Sequence, residues 1–84
     1  MNCQMNCRPL FVRVEWDEDA RVWVATSDDV PGLATEDVTI ELLVEKLKVM
    51  IPELLELNVG HKHQAPFAFE MFSRRFETVP MVEV

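Results

Sequence analysis

Two histidines and two cysteines are the residues of this chain best suited to metal or redox chemistry. His61 and His63 alternate in a predicted loop, so they would share one face of an extended segment and could supply two metal ligands. No third ligand is evident, and we favour two solvated loop histidines. Cys3 and Cys7 are four positions apart, which is not the spacing of a thioredoxin-type motif or a zinc knuckle. We therefore predict no metal, no cofactor and no redox function.

Carboxylates could also do chemistry, and they are concentrated in two predicted loops at the ends of a hairpin. Paired carboxylates act as acid and base only in a pocket that shifts their pKa values, and the ligand alternation of a calcium loop is absent. Ser27 and Ser73 have no neighbouring base in the sequence. Only two glycines are present, which excludes the usual phosphate-binding loops. We predict no catalytic residues and no enzyme.

The charge balance indicates which partners the chain can attract. Fifteen acidic residues against eight basic ones give a formal charge of −7. Such a surface repels phosphate backbones, so we expect no direct binding of nucleic acid, whereas a basic protein would be attracted. Simple solubility is the alternative explanation of this charge. No apolar run approaches the roughly 20 residues that span a bilayer, and residues 1–8 do not resemble a secretory signal. We predict a cytoplasmic protein that does not bind membranes.

Periodicity predicts the elements that position these residues, and 84 residues allow a single domain. Apolar and polar residues alternate over residues 10–16 and again over 21–26, with a polar connection at 17–20, which predicts a β-hairpin. Pro31 and Gly32 are typical of a type II turn, and a short third strand is predicted at 33–35. Residues 67–76 read as a last strand.

One long helix is predicted between the third and the last strand. Apolar residues recur there at three- and four-residue steps and form a stripe, which consists of Ile40, Leu43, Leu47, Met50, Leu54 and Leu57, broadened by Val44, Ile51 and Leu55. Thr39 or Asp37 would cap the helix, and Pro52 lies inside it. The predicted fold class is therefore α+β, a single-layer antiparallel sheet in β-β-β-α-β order with one helix packed across one face.

The domain boundaries follow from the same patterns. We predict a disordered tail at residues 1–9, in which translation could begin at Met1 or Met5, a domain at 10–78, and a C-terminal tail at 79–84. A chain of this length has a thin core, and its strands carry apolar residues on both faces, so we expect a homodimer or a larger assembly. Trp16 and Trp23 either form part of an association surface or cover the ends of the small core.

Two stretches of the sequence resemble the DUF1902 family. The first comprises residues 12–17 and 23–33, and the second comprises residues 45–47 and 51–57, in the order expected for that family. The family belongs with the HicB-like proteins, whose N-terminal domain has the same order of elements. HicB-like proteins are antitoxins, and the resemblance implies a partner of the HicA type, a small basic ribonuclease whose active site the antitoxin covers. We expect no DNA-binding segment after the last strand.

The resulting functional hypothesis is a non-catalytic protein-interaction module that is antitoxin-like. Its alternative is an orphan self-associating structural or small-ligand-binding domain with no toxin partner. The resemblance assigns no roles to single residues, so the candidate partner-binding residues come from loop position, charge and aromatic character. They are Asp17, Glu18, Asp19, Trp23, Asp28 and Asp29.

Overall fold

The computed structural model describes residues 9–59 and 67–82 of the chain. These residues form one four-stranded sheet and one helix, as the alternating and helical patterns predict. The elements in chain order are β1 (Leu10–Asp17), β2 (Val22–Thr26), β3 (Ala34–Asp37), α1 (Ile40–Val59) and β4 (Phe69–Arg74). The predicted α+β class and the order of elements are confirmed.

The hairpin of β1 and β2 forms the centre of the sheet. Its strands pair antiparallel, with Asp17 opposite Val22 and Val14 opposite Ala25. The connection therefore lies at residues 18–21, one position later than the pattern predicts. It closes through a hydrogen bond of 2.7 Å from the Arg21 amide to the Asp17 carbonyl. Arg21 has a φ of 61°, the left-handed conformation that allows a four-residue turn to rejoin the strand.

The predicted type II turn at Pro31 and Gly32 is confirmed. The Leu33 amide donates to the Val30 carbonyl at 3.1 Å, and Gly32 has a φ of 84°, as the third position of such a turn requires. Asn58 near the end of α1 donates to the Pro31 carbonyl at 3.2 Å and so joins the helix end to this turn.

Thr39 is the N-cap of α1. Its hydroxyl accepts a hydrogen bond of 3.1 Å from the Leu42 amide. The buried residues of the helix follow a four-residue step, and they are Leu43, Leu47, Ile51 and Leu55. Leu57 is 79% exposed, so the prediction that it belongs to the buried apolar stripe is wrong. No helix in the described ranges is long and apolar enough to cross a membrane.

The strand order is β3-β2-β1-β4, and β4 runs parallel to β1. The prediction of a wholly antiparallel sheet is wrong at this edge. The two hairpin turns make β3 parallel to β1, and the 20-residue helix then carries the chain across the sheet to its opposite edge. A helical crossover carries the chain back to the end of the sheet at which the preceding strand began, so the next strand runs parallel to that strand.

The two faces of the sheet differ in burial. Val12, Val14 and Ala25 face α1 and are fully buried against it, and Phe69 and Met71 of β4 pack against the same core. Residues at alternate positions point to the other face, which no element in the described part of the chain covers. We call this the outer face, and its apolar members are Phe11, Val22, Val24 and Phe72.

Several predictions fall on residues outside the described ranges. The loop with His61 and His63 lies there, as do Cys3, Cys7 and almost all of the predicted tail at residues 1–9, including both candidate start positions. Residues 75–82 form no regular element.

Candidate functional site

Trp16 and Trp23 lie directly opposite each other at the turn end of the hairpin. Their ring centroids are 5.2 Å apart and the rings are inclined at 60°, an edge-to-face arrangement that aromatic pairs favour. Both belong to the face that carries Val14 and Ala25, and both are partly buried. Trp23 packs against the core, so the pair both extends the core and presents ring surface at its edge.

The acidic turn surrounds this aromatic pair. The Asp17 carboxylate accepts hydrogen bonds from the amides of Asp19 at 3.0 Å and Ala20 at 3.1 Å, which shape the turn. Glu18 accepts a bond of 2.8 Å from the Trp16 indole N–H and one of 2.7 Å from Arg21. The indole N–H, and secondly the Arg21 guanidinium, lower the pKa of Glu18 below its usual value. Asp19 is exposed.

Guanidinium groups occupy the tryptophan faces. Arg75, just after β4, lies with its Cζ 4.2 Å from the Trp16 ring centroid and 5.8 Å from that of Trp23. Arg21 lies 5.6 Å from the Trp16 centroid. These distances are within the range of cation–π attraction. We call the group of Trp16, Trp23, Asp17, Glu18 and Asp19 the turn-end site, and its rings contact the guanidinium groups of Arg75 and Arg21 of the same chain.

The second acidic loop lies at the other end of the hairpin. The Asp29 carboxylate accepts a bond of 2.8 Å from the Phe11 amide, and the Ser27 hydroxyl donates to the Phe11 carbonyl at 2.5 Å. The side chain of Asp28 is 90% exposed and lies 3.6 Å from Arg13. Phe11 and Asp17 are six positions apart in the extended strand β1, which corresponds to about 20 Å. The two acidic loops therefore belong to different surfaces.

The structure thus brings together four of the six predicted partner-binding residues, Asp17, Glu18, Asp19 and Trp23, and places Asp28 and Asp29 elsewhere. It adds two neighbours that are not among those six residues, Trp16 and Arg75. The position of Trp16 follows from the hairpin register, so a correct turn assignment would identify it. Nothing in the local sequence indicates that Arg75 approaches residues almost sixty positions earlier.

The described residues contain fourteen acidic and six basic side chains, an excess of eight negative charges. Five of these six basic side chains form ion pairs with carboxylates of the same chain. Within those ranges no group of three or more His, Cys, Asp or Glu side chains is arranged to hold a metal ion.

Comparison with known proteins places the chain in a family. The model of a domain of unknown function, DUF1902, matches residues 9–81. A crystal structure of the hypothetical protein TTHA1013 from the extremely thermophilic bacterium Thermus thermophilus is 49% identical in sequence. The similarity covers 88% of this chain and 100% of that one, with a TM-score of 0.65. No curated protein is significantly similar to the chain. The extent of the family match shows that the chain belongs to the DUF1902 family.

Proposed function

We propose that this chain is a non-catalytic protein-interaction module that binds and covers a small basic ribonuclease of the HicA type, in the manner of an antitoxin. The observation that supports this most directly is the guanidinium group of Arg75, 4.2 Å from the Trp16 ring centroid, beside the bond of 2.7 Å between Arg21 and Glu18. The contact made by the chain's own arginine supports this choice of ligand chemistry. An arginine of a basic partner would take the place of Arg75 on the Trp16 ring.

Two kinds of interaction would contribute to such a complex. An arginine stacked on Trp16 gains cation–π attraction of about 0.5–2 kcal/mol, depending on how far it is desolvated. The excess negative charge would steer a basic partner toward the surface and raise the association rate. The proposal places both proteins in the cytoplasm, where the cysteines of this chain would stay reduced.

The experiment is an inhibition assay with a small basic ribonuclease of the HicA type, taken from the neighbouring reading frame if one is encoded there. The purified module is expected to abolish RNA cleavage at an equimolar ratio. Binding kinetics then locate the contact. Trp16→Ala should raise the dissociation rate about tenfold or more, because aromatic anchors dominate interface energies. Leu57→Ala is the matched control, since Leu57 is an exposed apolar residue on a different surface.

Charge variants test which end of the hairpin faces the partner. Asp19→Asn should slow association and flatten its dependence on salt, because exposed charges mainly affect the on-rate. Asp28→Asn removes one exposed carboxylate at the other end of the hairpin and should change association less. A larger effect at Asp28 would move the binding surface to that end. If no neighbouring or cellular ribonuclease is inhibited, the antitoxin proposal is wrong.

The second candidate function is a self-associating domain without a toxin partner. Exposed apolar residues after β4 favour self-association. Self-association is compatible with ribonuclease binding, since the two use different surfaces.

A further inference from the structure

The segment after β4 is apolar and lies outside the core. Residues 76–82 form no helix or strand. Four large apolar side chains in this segment are between 79% and 91% exposed, and they are Phe76, Val79, Met81 and Val82. We call residues 76–82 the C-terminal arm. Scattered single apolar residues are ordinary on a protein surface, but four in seven positions form a contiguous patch that a partner would normally cover.

The outer face of the sheet is a second uncovered apolar surface. Phe11 and Phe72 lie side by side on it with ring centroids 5.0 Å apart, and Phe72 is 56% exposed. Val22 and Val24 continue this surface across β2. Charged residues of both signs flank the aromatic pair, with Glu15 opposite Arg74.

Arg75 immediately precedes the arm, and its side chain lies over Trp16 and Trp23 on the helix side of the sheet. The four large apolar side chains of the arm are at least 79% exposed, so they do not pack on the outer face of their own chain. Seven extended residues span about 23 Å, which is enough to reach a neighbouring molecule.

We propose that the C-terminal arm of one copy of this chain packs on the outer face of a second copy, over Phe11 and Phe72, in a reciprocal two-fold exchange. Both halves of the contact are present on every chain, as an isologous interface requires. Glu77, the one charged residue of the arm, pairs with Arg75. The arm itself therefore adds no unpaired charge to a contact between two chains of charge −7.

The area available is sufficient for a stable dimer. An unfolded chain exposes about 1.45 Å² per dalton, so a seven-residue arm presents about 1,200 Å². If half of each arm is covered, two arms and the surfaces beneath them bury about 2,400 Å² in total, above the roughly 1,600 Å² of a standard interface. Pro80 lacks an N–H group, so the arm is expected to use side-chain packing along its length more than a continuous strand ladder.

Sedimentation velocity of the full-length chain at tens of micromolar tests the exchange. Wild type is expected to sediment as a dimer. The donor variant Val79→Ser with Met81→Ser, and the acceptor variant Phe72→Lys, should each weaken dimerisation by about 100-fold or more, because each removes buried apolar area from both symmetric contacts. The control is Leu57→Ser, since Leu57 and Val79 are both 79% exposed, and it should leave the dimer intact.

A mixing experiment separates exchange from general loss of hydrophobicity. An equimolar mixture of donor and acceptor variants retains one intact arm and one intact face that can meet, so mixed dimers should be more abundant than the weakened dimers of either variant. A wild-type monomer of 9.7 kDa, equal weakening by Leu57→Ser, or the absence of mixed dimers would each overturn the proposal. Ribonuclease inhibition by the donor variant is expected to persist, so this test and that of the antitoxin proposal fail separately.

Discussion

At the turn end of the hairpin, Glu18 binds an indole N–H and an arginine while Asp19 is exposed to solvent. At the opposite end, Asp29 accepts a hydrogen bond from the Phe11 amide within the fold, while its neighbour Asp28 is 90% exposed. Both loops are acidic and both follow a strand. Their carboxylates nevertheless have different roles, and the difference comes from the register of the sheet.

The register leaves the start of β1 without a strand partner on one side. β2 ends with Thr26 opposite Arg13, so Phe11 extends beyond the last residue of β2. Buried backbone groups need partners, and Asp29 and Ser27 supply an acceptor and a donor to Phe11 in place of the missing strand. At the turn end the strands pair up to Asp17 and Val22. The strand backbone there does not need side-chain hydrogen bonds from Glu18 or Asp19. The comparison predicts that substitutions in the two loops affect different properties.

The largest expected effect is that of Asp29→Ala. It leaves the partly buried Phe11 amide without its acceptor, which should lower the free energy of unfolding by about 2 kcal/mol and the thermal midpoint by about 10 °C. Asp28→Ala is the adjacent control and should cost less than about 0.5 kcal/mol, as exposed ion pairs contribute little. Thermal and urea denaturation measure both. Equal effects at the two positions would remove the distinction between structural and exposed carboxylates in this loop.

The second prediction compares the two left-handed residues, one in each loop. Gly32→Ala places a side chain at a φ of 84° and should cost about 1–2 kcal/mol. Arg21→Gly relieves the left-handed φ of 61° at the turn end but loses the contact with Glu18, so its net change in stability should lie within about 0.5 kcal/mol. Urea denaturation checks both values. A loss of stability on Arg21→Gly as large as that on Gly32→Ala would show that the turn end contributes as much to the stability of the fold as the Pro31–Gly32 turn.

The smallest expected effect is the pH dependence contributed by Glu18. Its pKa in the folded state is lowered, chiefly by the Trp16 indole N–H, so its stabilising contribution is present above its unfolded pKa and is lost as the pH falls through the folded value. Wild type should therefore be slightly more stable than Glu18→Gln near neutral pH, and the two should converge below about pH 4. A difference that stays constant down to about pH 3 would assign the stabilisation to something other than the ionised carboxylate.

Local patterns were sufficient to predict the hairpin, the Pro31–Gly32 turn and the long helix. Each depends on neighbouring residues, through strand alternation, turn chemistry and the helical repeat. The helical pattern failed at Leu57, because the buried residues of α1 follow a four-residue step through Leu55 and Leu57 lies off that line. The direction of β4 depends on the path of the whole helix across the sheet, which periodicity does not encode.

The candidate site was predictable only in part for the same reason. Composition identified acidic loops and an aromatic residue, Trp23, as candidates. The separation of Asp29 from Glu18 required the hairpin register, and the position of Arg75 over Trp16 required the parallel pairing of β4. Contacts between distant parts of a chain are set by topology, and a sequence without its fold does not reveal them.

Tryptophan fluorescence tests most directly whether the turn-end site receives an arginine from a basic partner. The protein has only two tryptophans, Trp16 and Trp23, and both belong to this site. Titration with the basic ribonuclease, after subtraction of the partner's own emission, should change the fluorescence with the same midpoint as the inhibition of RNA cleavage. Full inhibition with unchanged tryptophan emission would show that the ribonuclease binds elsewhere and would contradict the claim.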